Sequence, residues 1–181
     1  MMRYAAEAAP ALEVSGFGKV VPVEGALTIV DIIIPAQEVG GAHADITPEV
    51  IMVLMAELAR RSKETLADWR CWWHSHAAMA ATPSNTDLET LQDFADTGGI
   101  GWAAGIVTNV RGEYGGFLAI TDPLHLTVTG IDVTKDSDDD PVLKAAVGEM
   151  MAGVKPKVIV VPALPPYKPS TPSEWPKEGA I

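Results

Sequence analysis

Trp73-His74-Ser75-His76-Ala77-Ala78-Met79-Ala80-Ala81-Thr82-Pro83-Ser84-Asn85-Thr86-Asp87 carries an apolar, aromatic strand through a loop into a helix. Residues 68–76, with Trp69, Trp72 and Trp73, read as the strand; Pro83-Ser84 ends the loop, and residues 85–95 read as the helix, closed by Gly98-Gly99. His74 and His76 are two apart, so strand alternation projects both rings from one face. Asp87, on the first helical turn, is placed to add a carboxylate. Two nitrogens and one oxygen leave the fourth tetrahedral position of Zn²⁺ open for water, as catalytic zinc sites require. The ion would bring that water's pKa from 15.7 toward roughly 7.

Residues 4–9 suit a short helix ended by Pro10. Residues 12–23 and 26–34 read as two strands joined at Glu24-Gly25, and residues 37–45 as a polar loop. Thr47-Pro48-Glu49 opens a helix in which Ile51, Leu54, Met55 and Leu58 form an apolar stripe, predicted to end near Leu66. Residues 101–110 and 113–121 form a predicted hairpin, 124–133 a further strand, and 141–151 a helix after the acidic run Asp136-Ser137-Asp138-Asp139-Asp140. From Lys155 the chain turns proline-rich, which suits an extended arm, although Val158-Ile159-Val160-Val161 is able to pair as an edge strand. The expected organisation is a core domain over 1–135, an acidic loop and helix over 136–154, and an arm over 155–181. Alternating strands and helices point to an α/β or α+β domain.

A length of 181 residues and a hydrophobic fraction of 48% provide one sizeable core and exclude a disordered chain. The net charge of −11 repels phosphate backbones, so nucleic acid is not expected as a partner. One cysteine, Cys71, forms no internal disulfide, which fits a reducing compartment; beside an apolar strand it reads as a small buried hydrophobe, on the face opposite the histidines. No run reaches the ~18 apolar residues of a membrane span. The opening Met1-Met2-Arg3-Tyr4-Ala5-Ala6-Glu7 lacks the apolar core of a signal peptide. A cytoplasmic protein, or a virion component, is expected. His43 and His125 read as surface residues, and the three tryptophans as packing.

A hydrolytic site also needs a proton shuttle and a donor for the developing oxyanion. Ser84, opening the helix that carries Asp87, is placed for the second role and equally suits a helix cap. Glu13, at the head of the first strand and followed by small residues, is the preferred shuttle; Glu24, Glu38 and Glu49 compete on spacing alone.

His-Ser-His, seven residues, then Ser-x-x-Asp resembles the signature of the JAMM (MPN+) metalloproteases, and Glu13-Val14-Ser15-Gly16-Phe17 resembles the upstream glutamate element of that family. The resemblance covers roughly residues 3–130. It implies a cytidine-deaminase-like (JAB/MPN) three-layer α/β sandwich, a mixed sheet flanked by helices. It also implies zinc on His74, His76 and Asp87, Ser84 on the oxyanion, and Glu13 as general base and acid. The expected activity is a zinc metallopeptidase or isopeptidase, acting on the tail of a ubiquitin-like or sulfur-carrier protein or on a phage structural precursor. Ala77 departs from the family's usual proline, and the chain is too short for both insertions that grip ubiquitin chains in eukaryotic members. The alternative is an assembly module without turnover, using the arm, with Tyr167 and Trp175 as anchors, for a partner or a second copy.

Overall fold

The computed structural model describes residues 1–60, 66–135 and 140–157. In chain order these form α1 (Met2–Ala8), β1 (Ser15–Val23), β2 (Ala26–Ile33), β3 (Gln37–Val39), β4 (Ala44–Asp45), α2 (Pro48–Arg60), a 3-10 turn (Leu66–Asp68) and β5 (Cys71–Ser75). Then follow α3 (Asn85–Thr97), β6 (Trp102–Thr108), β7 (Tyr114–Ile120), β8 (Leu126–Ile131), α4 (Pro141–Met151) and β9 (Val154–Pro156). Six strands build a mixed sheet in the order β2-β1-β5-β6-β7-β8. Among the described residues of this sheet, the β5–β6 pair is parallel and the other pairs are antiparallel. A parallel pair needs a crossover, and α3 supplies it.

Strand alternation divides the apolar residues between two faces. Cys71, Trp73, Val14 and Ile106 pack with Tyr4 and Ala5 of α1 and Val147 of α4. Ala103, Val107, Phe117 and Ala119 pack on the opposite face under Leu91 and Ala95 of α3. Helices therefore cover both faces of a mixed sheet, an arrangement compatible with an α/β sandwich. Asp140 caps α4 through its carboxylate, which accepts from the amides of Val142 and Leu143 at 2.8 and 3.3 Å. Its own amide donates to the Tyr4 hydroxyl at 2.8 Å, tying α4 to α1.

The β1–β2 connection turns at Glu24 and Gly25, with φ of 49° and 84°. Two left-handed residues in a row match the twist of the flanking strands, and Val23 pairs with Ala26 across the turn. Gly16 answers a different demand. A Cβ there would collide with the Ile33 carbonyl and the Trp73 indole, so only glycine lets β1 lie this close to its neighbours.

Three local expectations need correction. Residues 37–45 are not a plain loop, because β3 pairs antiparallel with β4 and parallel with β9 in a small second sheet. On α2, Leu58 is buried but Met55 is exposed, so the stripe is narrower than its spacing implied. The strand carrying the histidines begins at Cys71 after the 3-10 turn, not at residue 68. α2 is described to Arg60, and Leu66 already opens the 3-10 turn. Residues 61–65, over which α2 is predicted to continue, fall outside the described residues, as do residues 136–139 of the acidic run, the pairing of residues 158–161 and most of the arm. Among the described residues no helix is long and apolar enough to cross a membrane.

Candidate metal centre

The β5–α3–β6 unit sets the site. His74 lies near the carboxyl end of β5, His76 directly follows that strand, and Asp87 comes from the first turn of α3. The seven residues between His76 and Ser84 bring that helix start back over the strand end, where open α/β sheets offer their ligand crevices.

All three side chains are buried, and their ligating atoms lie within 4.8 Å of one another. His74 Nε2 is 2.9 Å from His76 Nε2 and 3.2 Å from Asp87 Oδ1. His76 Nε2 is 3.5 Å from Asp87 Oδ2. Ligand bonds of 2.0–2.2 Å in a tetrahedron put neighbouring donor atoms about 3.3–3.6 Å apart, and these contacts, which use one Asp87 oxygen for each imidazole, are close to that spacing. Protonation points the same way. His76 Nδ1 faces the Ala80 carbonyl at 2.9 Å. A carbonyl only accepts, so Nδ1 carries the proton and a neutral His76 turns a bare lone pair toward His74 and Asp87. With Nε2 of His76 turned inward as an acceptor, two imidazole nitrogens and a carboxylate face one another, a donor set that suits a cation. The donor set fits a divalent metal ion, and the group can hold one.

Each ligand has its own support. Asp87 belongs to a reciprocal helix cap: its Oδ2 accepts from the Ser84 amide at 2.6 Å, and its amide donates to Ser84 Oγ at 3.2 Å. Burial alone would raise the Asp87 pKa, but the His74 contact and the Ser84 hydrogen bonds outweigh it and bring it down to about 2. The carboxylate is therefore ionised at neutral pH. His74 is held differently. Its ring stacks on Trp72 at a centroid distance of 4.6 Å, and its Nδ1 has no hydrogen-bond partner among the described residues. Trp72 is anchored in turn by its Nε1 donating to Ser15 Oγ at 2.8 Å. Trp72 packs against the Phe117 cluster, as its reading as a packing residue has it, and its contact with His74 is a second role that its shared parity with His74 and His76 along the strand signals.

Ser75, between the histidines, points the other way and stitches β5 to β1. Its Oγ accepts from the Val14 amide at 2.9 Å, and its own amide donates to the Val14 carbonyl at 2.8 Å. Gln37 secures the opposite edge of β1, accepting from the Ser15 amide at 2.9 Å and donating to the Ser15 carbonyl at 2.8 Å. These bonds fix the head of β1 beside the ligands, and Glu13 sits there, 7% exposed. Burial pushes its pKa up; His74 and His76 draw it partly back, Asp87 adds to the rise and His43 opposes it. The competing carboxylates lie elsewhere: Glu24 at the far turn of β1, Glu38 and Glu49 exposed on β3 and α2. His43 and His125 are exposed, and Cys71 is fully buried on the other face, its thiol pushed up to about 12 by burial.

The loop after His76 turns at Ala77, whose φ is 42°. Proline locks φ near −65°, so this path excludes the proline that the resembled family usually has there. Ser84 is solvent-exposed and its hydroxyl serves as the cap. Ser84→Ala is expected to destabilise the metal-free protein by about 0.5–2 kcal/mol, read from denaturant unfolding. An unchanged midpoint would show that the cap contributes nothing.

No protein-family model matches the chain, and no curated protein matches it at a significant level. The case for the site is its own geometry.

Proposed function

We propose that this protein is a zinc-dependent metallopeptidase or isopeptidase of the JAMM (MPN+) kind, with a JAB/MPN-type cytidine-deaminase-like fold. The observation that carries this reading is the meeting of His74, His76 and Asp87, with ligating atoms within 4.8 Å of one another and a second carboxylate, Glu13, buried beside them. Two histidines and one carboxylate also serve non-haem iron. The neighbouring carboxyl group, suited to proton transfer and outside the ligand triangle, favours hydrolysis over oxygen chemistry.

A zinc ion held there supplies Lewis-acid polarisation of a carbonyl and lowers the pKa of water toward roughly 7. Glu13 takes a proton from the attacking water and returns it to the leaving amine. Its raised pKa suits both steps, because a carboxylate closer to neutrality is a better base and a more available acid. Ser84 Oγ accepts the Asp87 amide and keeps its own O–H to donate to the oxyanion. Asp87 and the two imidazoles hold the cation, and Trp72 and the Ala80 carbonyl keep those rings aimed.

Beside the ligand loop runs an open groove of about 870 Å³, lined by Ala81, Pro83, Gly115, Gly116, Ile131 and Val133 among others. Small residues on its walls suit an extended, slender chain such as the tail of a ubiquitin-like or sulfur-carrier protein, or a segment of a phage structural precursor. Incubating the purified protein with such fusions, with and without a chelator, and weighing the products by mass spectrometry tests the reading. Chelator-sensitive cleavage with about one zinc per chain is expected. Cleavage that survives complete metal removal would overturn it.

A further inference from the structure

The β6–β7 connection holds a set of donors that bond the loop carrying the metal ligands. Four successive carbonyls follow His76, those of Ala77, Ala78, Met79 and Ala80. The Val110 amide donates to Ala77 O at 3.0 Å. Arg111 Nη1 donates to Ala78 O at 2.9 Å. Asn109 Nδ2 donates to Met79 O at 2.8 Å, joined by Arg111 Nη2 at 3.4 Å. The fourth carbonyl, Ala80 O, receives His76 Nδ1.

The turn is itself braced. Asn109, fully buried, accepts from the amides of Arg111 and Glu113 at 3.0 and 3.1 Å. Glu113 receives Arg111 Nη2 and Nε at 2.8 and 3.1 Å, and Asn109 Nδ2 at 2.6 Å. A planar guanidinium that faces a carboxylate on one side and loop carbonyls on the other fixes both at once. Gly115 adds a steric limit, since a Cβ there would run into Ala81 O. An exposed loop with a left-handed alanine at its start is thus gripped by three consecutive residues of the neighbouring turn.

We infer that Asn109 and Arg111 are positioning residues for the metal centre: by holding the carbonyls of residues 77–79 they place Ala80 O where it locks the His76 tautomer and aims Nε2 at Asp87 and His74. This deepens the metal-site reading and rests on it. Outer partners of metal ligands typically set affinity by 10–100-fold.

Arg111, half-exposed, is the residue to change, since its loss leaves no buried group behind. In Arg111→Ala the dissociation constant for zinc is expected to rise about tenfold, measured by competition with a chromogenic chelator. Arg111→Lys should recover only part of the loss, because an ammonium lacks the fork. A second readout needs no metal: ¹⁵N imidazole shifts at alkaline pH should show a single Nδ1–H tautomer for His76 in the wild type and a tautomer mixture in Arg111→Ala. A merely structural arginine would lower the melting temperature and leave both the affinity and the tautomer unchanged; that result overturns the inference. Wild-type protein that binds no zinc would sink the metal-site reading, while the tautomer comparison would still decide the role of Arg111.

Discussion

Glu13→Gln is expected to abolish cleavage and, at the same time, to make the metal-free protein more stable at neutral pH. The activity loss should be about 10²–10⁴-fold, the usual contribution of a positioned proton-transfer group, with zinc content unchanged because Glu13 lies outside the ligand triangle. The stability gain follows from burial. Desolvation, only partly offset by His74 and His76, raises the folded-state pKa of Glu13 above its ordinary 4.5. A group shifted this way contributes its stability fully below the unfolded pKa and loses it as pH rises through the folded pKa. As pH rises through the folded-state pKa, the buried carboxylate carries a desolvation penalty that the neutral amide of glutamine avoids. Melting temperatures of the two metal-free proteins should therefore diverge near neutrality and converge in acid, below the carboxylate range. Wild-type cleavage by Glu13→Gln would move the base to another residue. Melting curves that fail to diverge at neutral pH would show that Glu13 is not desolvated as its setting implies.

How far the chain could be read without coordinates differs between its parts, for physical reasons. The β5–loop–α3 unit was legible because three signals of different period coincide: alternation places His74 and His76 together, Pro83-Ser84 marks the helix start, and Asp87 falls on its first turn. Hairpins at Glu24-Gly25 and at Arg111-Gly112 were legible from turn chemistry. The second sheet was not, because β3, β4 and β9 are two or three residues long and β3 and β9 pair across more than a hundred positions. No periodicity survives in so short a segment. Met55 misled for the opposite reason: its spacing is helical, but what covers a helix face is decided by distant residues. The supports of the site were illegible in a third way. Gln37, Ser75, Asn109 and Arg111 act through backbone carbonyls and amides, which every residue possesses, so no residue-type pattern announces them. Trp72 alone carried a signal, its parity with the two histidines.

Asp87→Asn separates the two tasks that one residue performs. The asparagine side chain keeps an oxygen that can accept the Ser84 amide, so the helix cap persists. The charge that His74 and Ser84 favour is lost, so the metal-free melting temperature should fall at neutral pH, and the zinc-dependent rise is read against each protein's own metal-free value. The charge that balances a cation is gone, and a neutral amide oxygen is a poor ligand. In the wild type, free zinc at about 100 times its dissociation constant adds about 2.7 kcal/mol of stability, or roughly 5–10 °C in melting temperature for a chain of this length. An affinity loss of about 100-fold in Asp87→Asn, the upper range for outer partners and a lower bound for a direct ligand, leaves only about 0.4 kcal/mol at the same zinc concentration. Differential scanning fluorimetry with and without zinc reads both quantities. His74→Ala and His76→Ala should lose the zinc response as well, without touching the cap. An asparagine variant that keeps the full zinc-dependent rise would reduce Asp87 to a capping residue. The 3.2 and 3.5 Å contacts it makes with the two imidazoles would then be a by-product of helix geometry rather than a coordination face.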